Sequence, residues 1–282
     1  MGVSAGTGLK SANQLNEPSY RFLREHLYRN SGIVLDSDKQ YLLESRLSPL
    51  LKRCGLATLA ELCRILQQDP RSELHREVIE ALTINETMFF RDHALWDELK
   101  ATILPELLAE RKSSRRLRFW SAAASSGQEA HSLGITLLEM GLEGWDIQIL
   151  GTDLSQQMVE RARTARYTQL EVNRGMPTPL LVKYFVRDGL YWHLRENATR
   201  FIRFQQLDLR QKLSCFGPFD IVFCRNVLIY FDVPTKQRVL REIRSTIFRG
   251  GYLVLGSAET TINVDSSFKR RSQVKASFYQ VE

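Results

Sequence analysis

What the chain lacks narrows its chemistry first. Its four cysteines, at 54, 63, 215 and 224, form no C-x-x-C pair, which argues against a disulfide framework and the common zinc and dithiol motifs. Cys215 and Cys224 flank an apolar strand and read as buried free thiols. The five histidines are scattered with no H-E-x-x-H, so no metal site is expected. No apolar run approaches the roughly 18 residues of a membrane span. The opening MGVSAGTGLKSANQ has no apolar signal-peptide core, and Gly6 replaces the Ser or Thr of a myristoylation signal. Residues 1–14 read as a disordered tail, and a cytoplasmic protein is expected. No repeat period is evident.

What is present is ordinary globular composition, 43% hydrophobic and 25% charged, with a basic excess of +7 and pI about 9.3. That excess is uneven. Residues 1–84 hold 11 basic and 10 acidic side chains, whereas 161–203 hold 9 basic against 3 acidic, and RKSSRRLR stands at 111–118. Such stretches suit a polyanionic partner or are simply solvated faces.

The first third is helical in pattern. Phe22, Leu23, Leu27 and Tyr28 recur at helical spacing up to Asn30-Ser31-Gly32, and Tyr41, Leu42, Leu47, Leu50 and Leu51 repeat it. TLAELCRILQQ and residues 71–84 add two shorter helices, giving a small bundle over 15–84. From 117 the texture changes: LRFWSA, IQILGTD, RFIRFQQLD, FDIVFCRN and YLVLGS alternate with helical stretches. This predicts an α/β domain over 117–282, a mostly parallel sheet covered on both faces. The block at about 167–203 interrupts the rhythm. It predicts an inserted antiparallel β-subdomain with a hairpin turning at Arg187-Asp188-Gly189 and LYWHL and RFIRF as strands.

Ligands of open parallel sheets bind beyond the strands' carboxyl ends. After the first strand, FWSAAASSGQEAHSLGI has one glycine before its helix and no lysine, unlike the G-x-G-x-x-G turn that cradles a pyrophosphate. Glu129 would repel a phosphate and welcome an amine or sulfonium; Ser126-x-x-Glu129 is equally a capping box needing no ligand. Asp153 ends the second strand, where an acid can accept both ribose hydroxyls, or cap the next helix, although Ser155 is better placed for that. Asp208, after RFIRFQQLD, can accept an adenine amino group with Leu209 on the ring, or be a turn aspartate. Asn226, Val227 and Tyr230 follow FDIVFCRN. Acids at successive strand ends, without a glycine fingerprint or a phosphate-binding lysine, favour S-adenosylmethionine (SAM) over NAD.

NETMFFRD at 85–92, SAAASSGQEAHSLGI, FDIVFCRNVLIYFD at 219–232 and GIVLDSDKQYLLESRL together resemble the CheR-type chemotaxis methyltransferases over nearly the whole chain. The resemblance implies a helical bundle, a linker over 85–116 and a Rossmann-like SAM-dependent methyltransferase domain. It implies that Asn85, Thr87 and Arg91 reach the methionine end of SAM. Glu129 and Asp153 would take its amino acid or ribose portions, and Asp208, Leu209, Asn226 and Val227 would line the nucleoside. Phe89 and Phe90 read as core. In the opening loop, Gln128, Ala130 and His131 stand where the family usually has an acid, Pro and Tyr.

The implied reaction methylates glutamate carboxylates of chemoreceptors and releases S-adenosylhomocysteine. Arg91, near the substrate carboxylate, and Tyr230, beside the methyl, are the candidate catalytic residues. No general base is expected, because a glutamate with a pKa of about 4.3 is already ionised at neutral pH. The implied partners are the cytoplasmic methyl-accepting domains of receptors, with a receptor C-terminal peptide at the β-subdomain by strand addition. A nucleic-acid methyltransferase is the main alternative, and a SAM-binding module without turnover is another. Neither nucleic-acid binding nor membrane insertion is expected, and a monomer is.

Overall fold

The computed structural model describes residues 16–36, 38–213 and 215–282; the expected tail over 1–14 lies outside them. Contacts divide the chain into two units between Ile84 and Asn85. The first contains α1 (Glu17–Ser31), α2 (Gln40–Cys54), α3 (Leu59–Gln68) and α4 (Leu74–Leu82). Local chemistry sets the ends. The Asn16 carboxamide accepts the Ser19 N–H at 2.9 Å, and Gly32 (φ 76°) stops α1 in the left-handed conformation. Thr58 and Glu61 cap α3 in the same manner. The buried stripe runs through Leu23, Leu27, Leu43, Leu47, Leu50 and Leu62. Tyr28 and Tyr41, expected on that stripe, are 43% and 62% exposed, since they stand one turn-face away from it.

The second unit opens with α5 (His93–Glu98), a π-helical turn (Leu99–Ile103) and α6 (Leu104–Glu110). The segment expected as a linker over 85–116 is therefore part of this unit, and Phe89, Phe90, Trp96, Leu99 and Leu104 belong to its core. Then come β1 (Arg116–Ala122), α7 (Gln128–Glu139), β2 (Asp146–Asp153), α8 (Gln156–Thr164), β3 (Arg166–Thr168), α9 (Gln169–Asn173), α10 (Thr178–Tyr184), β4 (Phe185–Asp188), β5 (Tyr191–Leu194), α11 (Glu196–Thr199), β6 (Ile202–Gln206), β7 (Phe219–Cys224), a 3₁₀ turn (Leu228–Tyr230), α12 (Val233–Arg244), β8 (Ile247–Leu255), β9 (Phe268–Arg270) and β10 (Phe278–Val281).

Seven strands form one sheet in the order β6-β2-β1-β7-β8-β10-β9. The first five are parallel, and β10 runs antiparallel to both neighbours. Strand order reverses between β1 and β7, so the loops leaving them diverge and open a crevice at their carboxyl ends. Coverage differs along the sheet. All of β7 is buried, but β6 and the amino-terminal parts of β1 and β2 alternate. Phe119, Ile147, Ile149 and Phe204 enter the core with residues of α7 and α8. Arg118, Gln148 and Arg203 on the other face stay partly or fully exposed. The sheet is covered on both faces toward β7, but coverage thins here because the connection 207–218, from β6 to β7, contains no helix among its described residues.

The inserted sheet is antiparallel with order β3-β5-β4. Its hairpin pairs FVRD with YWHL, while RFIRF supplies β6, the edge of the main sheet beside β2. The insertion therefore ends before 202; Ile202 and Phe204 satisfy the main sheet's side-chain alternation. Phe89 anchors the insertion through edge-on contacts with Tyr167 and Phe185, centroids 4.9 and 5.7 Å away. Gly175 (φ +86°) lets its own chain pass the Phe89 carbonyl, whose oxygen would sit 2.0 Å from any added Cβ. Gly175→Ala should therefore lower the stability of the second unit by more than about 2 kcal/mol, read as a drop in urea midpoint.

Candidate functional site

The loop after β1 is held in an uncommon backbone shape. Ala123 (φ 64°), Ser125 (φ 49°) and Gly127 (φ 94°) all take left-handed conformations, which costs about 1 kcal/mol at each non-glycine position. Hydrogen bonds from four directions offset that cost. The Ala124 N–H donates to the Thr152 carbonyl at 2.7 Å, and the Ser125 N–H to Asp153 Oδ2 at 2.8 Å. Ser125 Oγ donates to the Asn85 carbonyl at 2.7 Å, and Tyr167 to the Ser126 carbonyl at 2.8 Å. Only position 127 needs glycine for space: a Cβ there would lie 2.9 Å from the Ala162 methyl.

Glu129 does not close a capping box. Ser126 Oγ donates to Gln128 Oε1, and α7 starts after Gly127 without a side-chain cap. The Glu129 carboxylate instead accepts from Ser121 Oγ and Arg225 Nη1, each at 2.7 Å. Arg225 is buried, and its Nη2 reaches the Arg91 carbonyl at 3.0 Å and Asp92 Oδ2 at 2.6 Å. One guanidinium thus joins the end of β7, the start of α7 and the NETMFFRD segment. Reading the sequence missed this residue. Its signal was a charge directly after the apolar run Ile221–Cys224, and such a charge is buried only when paired.

Asp153 is buried at the end of β2. Oδ2 accepts the Ser125 N–H and Oδ1 the Ser155 N–H, at 2.8 and 2.9 Å, while the Ser155 hydroxyl caps α8. Asp208 is clamped by Arg210, whose Nε and Nη2 reach it at 3.0 and 2.6 Å; Leu209 beside it is buried. Asn226 (φ 58°) and Val227 are both partly buried, and their N–H groups donate to Glu259 at 2.7 and 3.0 Å. Glu259 is buried and also accepts from Ile229 and Gly256. It sets the turn that carries Tyr230, itself half-buried, and it too was missed, lying in the plain-looking GSAETT. Asn85, Thr87 and Arg91 are partly exposed. Arg91 Nη1 contacts the Glu86 carbonyl at 3.4 Å. Hydrogen bonds therefore gather Asn85 with Asp153, and Arg91 with Glu129, around one loop; Asn226 and Val227 form a second group on Glu259.

The three departures in the loop are structural. Ala130 is buried. Gln128 holds Ser126, and its carbonyl accepts from Ser132. His131 is buried, with Nδ1 2.6 Å from the Tyr167 hydroxyl. Because Tyr167 donates onward to Ser126, Nδ1 carries the imidazole proton and the ring is neutral. Desolvation pushes its pKa down to about 3. Cys224 is buried with its thiol pKa raised by desolvation, but Cys215, expected buried, is exposed. Among the described residues, no cluster of three or more His, Cys, Asp or Glu is arranged to hold a metal.

Residues 85–276 match the family model described as the SAM binding domain of CheR methyltransferase, and residues 18–83 match that of its all-alpha domain. The chain is 38% identical over 256 residues to chemotaxis protein methyltransferase 1 of Pseudomonas aeruginosa, covering 89% of this chain and 93% of that one. It is 39% identical over 242 residues to chemotaxis protein methyltransferase Cher2 of Pseudomonas putida, with 84% and 88% covered. The chemotaxis protein methyltransferase of Vibrio parahaemolyticus is 36% identical over 266 residues, with 92% and 95% covered.

The neutral imidazole at 131 predicts a pH effect with a definite sign. Its pKa falls on folding from 6.5 to about 3, so between those values the unfolded chain binds a proton that the folded chain does not. Stability is complete above 6.5 and is lost as pH falls. Between pH 7.5 and 5.5 the native chain should lose about 1.4 kcal/mol more than His131→Phe, measured by urea denaturation.

Proposed function

The chain belongs to the CheR methyltransferase family, and from that membership we propose which of its residues bind cofactor and substrate. It is a SAM-dependent protein-glutamate O-methyltransferase: chemoreceptor glutamates are its acceptors, and methyl esters and S-adenosylhomocysteine its products. The reading over nucleic-acid methylation is consistent with the motif after β7, R-N-V-L-I-Y-F, which lacks the prolines of an N-P-P-Y-like sequence.

The donor set fits a phosphate-free cation. Five carboxylates (Asp92, Glu129, Asp153, Asp208 and Glu259) stand against three guanidiniums, Arg91, Arg210 and Arg225, and the β1 loop has no lysine. Pairing with Arg225 and Arg210 leaves Glu129 and Asp208 less negative than the bare sequence suggests, so Asp153, bonded to backbone N–H groups, matters most. The position of Asp153 at the end of β2, in contact with the β1 loop, is the observation that carries the binding assignment. Bound SAM supplies an electrophilic methyl group on a sulfonium.

In this reading Asp153 accepts the ribose hydroxyls, and Asp208 and Leu209 take the adenine with Asn226 and Val227 beside them. Glu129 takes the cofactor's amino group, and Asn85, Thr87 and Arg91 its carboxylate end. An Arg guanidinium suits a carboxylate through charge-assisted hydrogen bonds. No residue need deprotonate the acceptor, which is ionised at neutral pH. Arg91 and Tyr230 would orient it.

The β-subdomain is the proposed receptor contact. Arg166 lies 4.0 Å over the Tyr191 ring and Arg187 5.9 Å over Trp192, beside Leu190 and Val186, which are 83% and 46% exposed. Such a mixed basic and apolar surface suits an acidic receptor segment, with a C-terminal peptide adding to an edge strand. The reading has a monomer acting in the cytoplasm. Among the described residues, no helix is long and apolar enough to cross a membrane.

Asp153→Ala should weaken SAM binding at least about tenfold by calorimetry; unchanged affinity would refute the ribose assignment. Because Asp153 also holds Ser125 and Ser155, thermal stability is read in parallel to separate lost contacts from lost folding. With labelled SAM and a purified receptor signalling domain, the native protein should place base-labile methyl groups on glutamate. Label in RNA or DNA alone would overturn the acceptor class.

A further inference from the structure

A second concave surface lies on the open face of β1, β2 and β6, toward their amino-terminal ends and away from Asp153, Asp208 and Asn226. It is a groove of about 580 Å³, the size of a small-molecule site. Strands of a parallel sheet normally fill both faces with Val, Ile and Leu. These strands instead place Arg118 next to Gln148 across β1 and β2, and Leu150 next to Arg203 across β2 and β6. Arg200 and Gln205 line the same groove.

The charge on this surface is uncompensated. Asp146 at its rim already binds Arg116 at 2.7 Å. Among the described residues, no carboxylate lies within ion-pair distance of Arg118, Arg200 or Arg203. Three guanidiniums thus line one groove without a carboxylate partner of their own, although Arg200 also lies 4.7 Å over the Phe201 ring, and guanidinium forks suit a phosphate. The remaining wall adds chemistry that a phosphate alone does not need. Phe216, half-buried, lies against Trp120 with ring centroids 6.3 Å apart and planes at 21°, which leaves its other face toward the groove it lines. Gln148 and Gln205 offer carboxamides, each a paired donor and acceptor that matches a base edge.

We propose that this groove binds a mononucleotide, with phosphates on the arginines and the base against Phe216 and the carboxamides. An acidic peptide would satisfy the arginines but leave the ring and amides unmatched. The site stands apart from methyl transfer and does not depend on the cofactor assignments above.

Cys215 lines this groove and is exposed, Cys54 is exposed in the first unit, and Cys63 and Cys224 are buried. The full chain therefore carries its own reporter and control. Iodoacetamide labelling is followed peptide by peptide by mass spectrometry, with ATP and GTP as probes. Either nucleotide at about 1 mM should slow Cys215 labelling at least about fivefold while Cys54 is unaffected. Arg118→Gln with Arg203→Gln should abolish that protection at an unchanged melting temperature, since both side chains are surface groups. Four results would each overturn the proposal: no protection by either nucleotide, equal protection by tripolyphosphate, protection by poly-glutamate alone, or protection that survives the double substitution.

Discussion

A buried guanidinium has to be paired, and Arg225 is paired by parts of the chain far apart in sequence. Breaking such a pair leaves an isolated charge in a low dielectric and costs about 3–5 kcal/mol. Here the partners are Glu129 at the start of α7, and Asp92 and the Arg91 carbonyl in the NETMFFRD segment. Satisfying one side chain therefore fixes how three motifs meet. The positive φ of Asp92 (63°) and of Asn226 (58°), both unusual for non-glycine residues, flanks the same contact. Strain of that kind persists where surrounding bonds over-determine the backbone.

Around this tie the crevice is built mostly from carboxylates that hold backbone. Asp153 pins the β1 loop, Glu259 gathers N–H groups from the turn after β7, and Ser125 binds the Asn85 carbonyl. Preorganisation of this sort means that little side-chain movement has to be arrested when a cofactor arrives. It also gives a physical sense to the unusual loop. His131, Tyr167 and Gln128 form an interior scaffold for Ser126, so the departures at 128 and 131 support the loop from below.

The sheet is asymmetric for a related reason. Toward β7 the strands are enclosed, while β6 and the amino-terminal parts of β2 and β1 meet solvent on one face because the connection from β6 to β7 has no helix among its described residues. Polar residues on alternate positions are what an open face requires, and here they are arginines and glutamines. The β-subdomain, anchored by Phe89 against Tyr167 and Phe185, is likewise a surface device on a rigid frame.

Much of this was legible in the order of residues. Alternating apolar strands and amphipathic helices determined the α/β class, and the phosphate-averse loop pointed to SAM, because these depend on period and on local charge. What sequence order could not carry was partnership at long range. It left the Glu129 carboxylate between a cap and a ligand contact, left RFIRF between the main sheet and the inserted hairpin, treated 85–116 as a linker, and buried Cys215. It passed over Arg225 and Glu259 entirely. Each of these was decided by tertiary structure, since the energy of a buried charge, an edge strand or a core phenylalanine lies in neighbours that fold next to it from elsewhere in the chain.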